Sequence, residues 1–301
     1  MNIRINNYLN FMGDFRASGP KLKQVKEHLL ALVRNRHLIK KLYQPYRYLN
    51  AFENPRIKDL IILINFFKKE ELIDKIYKNI EFFIIPRTKN VRIKAIKNIN
   101  IDIAYLIGVL CGDGSIAKNS YQIIIGCSKN EKKYVNILAN LWGDCFGKKP
   151  FIYKLKRGIG IFTTNKVIHI FLTKVIGLPS GKKKDLNVPN LIKKDSELMK
   201  HFIGGFFDTD GTIYLKRGRE SYYIKFSQKS KFILEEIQTF LNRFNIKSVF
   251  ECDKRNEIYS LAIYRRESVI NSCKLIKSRY PRKARLLNRL SIGPHNSLGK
   301  V

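Results

Sequence analysis

Acidic residues are scarce in this chain of 301 residues: 24 Asp and Glu stand against 58 Lys and Arg, for a net charge of +34. So lopsided a balance repels itself in a compact state and calls for a polyanionic partner. Long hydrophobic runs are missing as well. The most apolar stretch, Leu60 to Phe67, is closed by Lys58-Asp59 on one side and Lys68-Lys69-Glu70-Glu71 on the other. It falls well short of the roughly 20 residues a membrane-spanning helix needs. The N-terminus lacks a basic segment followed by an apolar core and a small-residue cleavage site, so no secretion signal is expected. The five cysteines are odd in number and widely spaced, and no Cys-x-x-Cys or Cys/His cluster occurs. That argues against a structural zinc site and fits small buried thiols in a reducing compartment, the cytoplasm of a prokaryote or an organelle matrix.

What remains is a folded, strongly basic protein. A composition of 45% hydrophobic and 12% aromatic residues argues against general disorder. The length suits two or three small domains with real cores. Nucleic acid is the leading partner, because Lys and Arg placed on phosphates release counterions. An anionic membrane surface comes second, since no basic amphipathic helix stands out. A Lys-, Ile- and Asn-rich composition also suits an AT-rich genome.

Residues 1–95 read as a mostly helical region. Ile57, Leu60, Ile61, Ile64 and Phe67 recur at helical spacing, as do Leu72, Ile73, Ile76, Tyr77 and Ile80. Pro45 and Pro55 divide the region into separate helices. Its role is open between an accessory DNA-binding module and a small bundle that only packs on the core. Pro86 to Asn100 reads as a basic linker that becomes a strand.

From Ile101 the pattern of elements occurs twice. Leu106-Ile-Gly-Val-Leu-Cys-Gly-Asp-Gly114 and Ile203-Gly-Gly-Phe-Phe-Asp-Thr-Asp-Gly211 are both apolar, glycine-containing runs that end in Asp-Gly before a strand. Glycine inside a helix costs stability, so its presence there suggests close approach of a second helix. The terminal glycines are expected to stop the helices at positive φ. After each run come two strands, a helix, a hairpin and a last helix, so each copy reads αββαββα. The two Asp-Gly pairs lie 210 − 113 = 97 residues apart, too long for a solenoid repeat but right for two pseudo-symmetric halves. Packing the two apolar helices together would bring Asp113 and Asp210 side by side.

These residues resemble the paired signature helices of the LAGLIDADG homing endonucleases, in their single-chain, two-motif, intron-encoded form. The resemblance runs from about Ile99 to about Leu290, and departs at Cys111, where the family often has an acidic residue. The expected architecture is α+β. A first half spans 96–178, a basic linker 179–195, and a second half with a basic C-terminal helix 196–301. The resemblance implies a monomer with an internal two-fold that hydrolyses double-stranded DNA at a long pseudo-palindromic site. Cleavage would cross the minor groove and leave short 3′ overhangs. It further implies that Lys129 and Lys229, recurring in Ser128-Lys129-Asn130 and Gln228-Lys229-Ser230, flank the reacting water and phosphate, with Gln228 at a neighbouring polar position.

The chemistry follows independently from the paired acids. Asp113 and Asp210 would sit at helix C-termini, where the helix dipole disfavours negative charge, and would repel each other. Bound divalent cations, Mg²⁺ above all, would offset both penalties and serve phosphodiester hydrolysis. Asp208 is read as polar structure at the helix end rather than a catalytic group. Base reading would fall to strands that lay one face in the major groove. Alternation nominates Lys154, Lys156, Tyr214, Lys216, Tyr223, Lys225 and Ser227. His295-Asn296-Ser297 resembles the end of an intein, but the chain begins with Met1 and no splicing pattern precedes the repeated core, so a free-standing protein is expected. Two rivals stay open: an intron maturase that binds intron RNA, and a DNA-binding regulator that does not cut.

Overall fold

The computed structural model describes residues 3–4, 11–19, 21–33, 44–45, 47, 54–69, 71–85, 91–154, 158–183, 185–216 and 221–292. Lys156 and the sequence 295–297 lie outside them, as does the side chain of Lys216. Among the described residues no helix is long and apolar enough to cross a membrane.

The N-terminal region begins with β1 (Ile3–Arg4), β2 (Arg16–Ser18) and α1 (Leu22–Val33). It continues through α2 (Ile57–Phe66), α3 (Glu71–Asn79), β3 (Phe82–Ile84), β4 (Arg92–Lys94) and β5 (Asn98–Ile99). The helical spacing read from the sequence is realised, with Leu60, Ile64, Leu72 and Ile76 all buried. The region also holds a three-stranded antiparallel sheet of order β2-β3-β4. Three-residue strands are too short to show an alternation, which is why periodicity does not reveal them. The strand expected before residue 100 therefore belongs partly to this sheet and partly to the β1–β5 pair.

The first repeat runs α4 (Ile101–Gly112), β6 (Gly114–Ile116), β7 (Gln122–Ser128), α5 (Lys132–Phe146), β8 (Phe151–Lys154), β9 (Gly158–Thr164) and α6 (Lys166–Ile170). A π-helical turn, Phe171–Val175, extends α6. After a short α7 (Asn190–Lys193) the second repeat runs α8 (Ser196–Asp210), β10 (Gly211–Lys216), β11 (Ser221–Gln228), α9 (Lys231–Asn242), β12 (Val249–Asp253), β13 (Ile258–Ile263) and α10 (Arg266–Leu275). The chain then forms α11 (Pro281–Ser291). The sheets are β6-β7-β9-β8 and β10-β11-β13-β12, the same order twice.

The central helices α4 and α8 begin alike and meet reciprocally. Asn100 accepts the Ile103 amide at the start of α4, and Asp195 accepts the Glu197 and Leu198 amides at the start of α8. These caps satisfy first-turn donors that have no partner inside a helix. A methyl on Gly108 would lie 2.1 Å from the Phe202 carbonyl oxygen, and one on Gly205 would lie 2.0 Å from that of Tyr105. Only glycine permits such contact, and 108 − 105 equals 205 − 202, so the crossing obeys a local two-fold. Each acid lies five residues beyond its glycine (113 − 108 and 210 − 205). At the helical rise this is about 7.5 Å, so the symmetric crossing sets both acids at the same end of the pair.

The terminal glycines differ from expectation. Gly114 and Gly211 are not among the glycines at positive φ, and Gly211 is extended at φ −98°. Glycine is needed there for space instead. A Cβ at Gly114 would meet Leu110 Cα at 2.5 Å, and one at Gly211 would meet the Phe207 ring at 2.0 Å.

Candidate active site

Helix C-termini leave carbonyls without partners and carry partial negative charge, so an acid placed there needs compensation. Two lysines supply it, one per helix. The Lys183 ammonium donates to the carbonyls of Leu110 (2.7 Å), Cys111 (3.1 Å) and Gly112 (2.7 Å) at the end of α4. The Lys283 ammonium donates to those of Phe207 (2.9 Å), Asp208 (2.8 Å) and Gly211 (2.7 Å) at the end of α8. Lys183 comes from the basic linker and Lys283 from the first turn of α11. Sequence reasoning misses both as site residues, because each reads as part of an exposed basic segment. A signal is present in the spacing, since 183 − 113 = 70 and 283 − 210 = 73.

Asp113 ends α4 and Asp210 is the last residue of α8. An Asp210 carboxylate oxygen lies 3.3 Å from where a Cβ on Gly112 would stand, so the two helix ends touch at the acids. Burial, then the Asp113 charge, push the Asp210 carboxyl up to about 7, against the opposing pull of Lys183, Lys283 and the Gln228 hydrogen bond. Asp113 is also raised, first by burial, with Lys183 and Lys283 opposing and Glu131 adding repulsion. Burial in turn lowers both lysines. The site thus concentrates like charge in a partly desolvated place, an arrangement typical of functional centres.

The two ends differ in their surroundings. Gln228, at the end of β11, donates its amide to Asp210 Oδ2 at 2.6 Å, and its own carbonyl accepts the Lys229 amide at 2.8 Å. The counterpart of Gln228 is Ser128, whose amide donates to Glu131 Oε2 at 2.7 Å. Beside Asp113 an open cavity of about 490 Å³ is lined by Ser128, Glu131, Tyr153 and Gly158 among others. Lys129 and Lys229 are exposed one residue past the ends of β7 and β11.

Asp208, two residues from Asp210, turns the other way and is buried. It accepts from Tyr105 Oη (2.5 Å), Ser278 Oγ (2.5 Å) and the amides of Arg279 (2.7 Å) and Tyr280 (3.0 Å). Burial raises its carboxyl, and these hydrogen bonds oppose the rise. Arg279 in turn pairs with Asp102 at 2.6 Å. This network ties the segment before α11 to both central helices, and so holds Lys283 in place.

Of the residues nominated for base reading, four share the outward face of the second sheet. Tyr214 stands opposite Tyr223, and the strand alternation adds Lys225 and Ser227. The Tyr214 and Tyr223 rings stack at 4.9 Å, and Tyr264 extends the row at 5.3 Å from Tyr223. Lys225 pairs with Glu251 at 2.8 Å, and Ser227 meets Ser260 at 2.9 Å. Lys154 is exposed but stands opposite Ile159, on the face that carries the buried Ile161. Tyr153 takes the outward position beside it. Among the described residues no cluster of three or more His, Cys, Asp or Glu is placed to hold a metal ion.

Residues 197–277 match the model of the LAGLIDADG-like domain. An uncharacterised protein of Methanocaldococcus jannaschii is 28% identical over 201 residues, covering 62% of this chain and 68% of that one. A solved structure of the homing endonuclease I-DmoI in complex with DNA and Ca is 19% identical, covers 63% of this chain and 97% of that one, and has a TM-score of 0.48. Full-length WhiA from Thermatoga maritima is 18% identical, covers 67% and 62%, and has a TM-score of 0.44.

Proposed function

From a second half that matches the LAGLIDADG-like domain model over residues 197–277, and a first half that repeats its element and sheet order, we propose a metal-dependent, site-specific double-strand DNA endonuclease. The observation that carries this reading is the pair Asp113 and Asp210, set at adjoining ends of two helices that cross through Gly108 and Gly205. One carboxylate per half suits one cut per strand. The net charge of +34 suits a phosphate-rich partner.

The donor set fits Mg²⁺. That ion is commonly held by one or two carboxylates, with waters and substrate phosphate completing its shell. A pair of carboxylates at adjoining helix ends matches this habit. When bound, the cation supplies charge neutralisation at the scissile phosphate and a water acidic enough to attack. The chain's own residues do the rest. Asp113 and Asp210 ionise to receive the cation, and Gln228 orients Asp210. Lys183 and Lys283 commit all three N–H bonds to carbonyls, so they act by charge and by fixing the helix ends, with no proton left to donate. Lys129 and Lys229, exposed beside the site, take up phosphate charge. The outward sheet faces lie along the major groove, one per half-site, with the protein acting as a monomer.

In this reading residues 96–178 and 196–301 form the two halves, 179–195 the linker, and 1–95 an accessory basic region. The decisive experiment offers a pool of duplexes containing random sites, with Mg²⁺ and with EDTA. Mg²⁺-dependent double-strand cutting at one recovered sequence is the expected result. Salt-sensitive binding without cutting, to duplex or to intron RNA, would overturn the nuclease in favour of a regulator or a maturase.

A further inference from the structure

The two sheets share a strand order but not a surface chemistry. Strand register arranges outward side chains in rows across each sheet, and corresponding rows can be compared at equal distance from the acid. Two residues beyond Asp113, the row is Ser115, Ile124, Phe162 and Phe151. Two residues beyond Asp210, it is Thr212, Lys225, Ala262 and Val249. The next row outward in the second half is the stack of Tyr214 on Tyr223.

The first row carries no charge, and its Phe151 is 68% exposed. With Ile124 and Phe162 beside it, it makes the row an apolar strip that ends in an exposed aromatic. Level with Asp113, Gly126 and Gly160 carry no side chains of their own, and the Tyr153 ring lies over them. The second row also ends in an exposed aliphatic, Val249, but it carries the Lys225 ammonium, with the Glu251 carboxylate beside it and the Tyr214–Tyr223 phenols in the next row. Base edges in the major groove differ in the same two ways. Thymine alone shows a methyl, while the other features are hydrogen-bond donors and acceptors. An apolar row rewards methyls and leaves polar edges unpaired, which is costly.

Resting on the nuclease reading, we propose that the two half-sites are read by different chemistries. The first sheet selects thymine methyl groups through Ile124, Phe162 and Phe151. The second selects polar base edges through Lys225 and its tyrosine neighbours. The target is therefore asymmetric in composition, richer in thymine contacts on one side.

The test uses the full chain and a duplex selected for binding with Ca²⁺ in place of Mg²⁺. Every thymine in one half-site is replaced by deoxyuridine, which removes only the methyl, and then the same is done in the other half. Affinity should fall about fourfold per contacted methyl in one half only. Phe151→Ser, at an exposed position, should keep the wild-type melting temperature and reduce that sensitivity, and Phe162→Ser, at a half-buried position, should reduce it as well. Equal losses in both halves, no loss in either, or a loss unchanged in both variants would overturn the inference. Failure to select any duplex would instead overturn the nuclease reading on which it rests.

Discussion

Lys183 and Lys283 are equivalent residues a hundred positions apart, each closing the C-terminus of one central helix with three hydrogen bonds. Their backbones arrive by different routes, one from the segment between the two repeats and the other from the first turn of a helix. The shared requirement is local. An acid at a helix end, facing a second acid, stands in negative potential from two sources, and a buried ammonium cancels part of both.

Replacing either lysine by Met should therefore destabilise the protein by about 2–3 kcal/mol, since carbonyls at a packed helix end lose a charged donor. Arg should rescue poorly, because a planar guanidinium cannot converge on three carbonyls as an ammonium does. Urea denaturation of the four variants would check this. The Met variants should also cut more slowly in Mg²⁺, with the loss exceeding what the unfolded fraction explains.

Asp210→Asn should stabilise the fold, and the gain should depend on pH. Below the ordinary 3.8, the carboxyl is protonated in both the folded and unfolded chain and costs nothing. As pH rises from there to about 7, the unfolded chain releases a proton that the folded chain retains, and stability falls. Above about 7 the full cost persists. The variant should match wild type near pH 4 and exceed it by about 1–2 kcal/mol at pH 8, after allowance for partial solvent access. Added Mg²⁺ should narrow the gap at pH 8 by stabilising wild type alone. Thermal melts in EDTA and in Mg²⁺ at the two pH values give both readings, and Asp210→Asn should be inactive in cutting throughout.

Much of this arrangement was legible because it is repetitive. The duplicated Gly-containing run ending in Asp-Gly announced the paired helices, and the alternation Tyr223, Lys225, Ser227 announced an outward strand face that the register realises. What escaped was non-local. The similar spacing from the acids points to this stretch of each repeat, but nothing within Lys182-Lys183 or Arg282-Lys283 distinguishes a capping lysine from its exposed neighbour, because that is decided by where the chain folds back. Lys154 lies on the opposite face from Tyr153 for a related reason. Face assignment in a four-residue strand depends on which residue stands opposite, and Ile159 sets that register. The N-terminal sheet was hidden by the brevity of its strands.

The reciprocal glycine contacts make a prediction about coupling. Gly108→Ala and Gly205→Ala each place a methyl about 2 Å from a backbone oxygen that cannot move alone. Each should cost about 3 kcal/mol or more, since the helices must separate. Once separated for one methyl, they have room for the other. The double variant should then be less destabilised than the sum of the singles by more than about 1 kcal/mol. Denaturation of the three variants measures this, and strict additivity would mean that the two contacts relax independently.

Asp208 and Asp210 provide the sharpest contrast, because the same substitution two residues apart should act with opposite sign. Asp208 accepts four hydrogen bonds and anchors the turn that delivers Lys283. Its two oxygens are therefore used by the fold as acceptors, whereas those of Asp210 receive one side-chain donor, Gln228. Asp208→Asn should destabilise by about 1–3 kcal/mol, because one acceptor oxygen becomes an N–H₂ donor that faces buried donors. Cutting by this variant should fall at elevated temperature and return at low temperature, where the turn stays docked and Asp113 and Asp210 remain intact. Asp210→Asn, though more stable, should not cut at any temperature. On the proposed nuclease reading, measuring melting temperature and cutting rate together separates the two acids: one should lose activity by loosening the frame, the other by losing a group proposed to receive the cation.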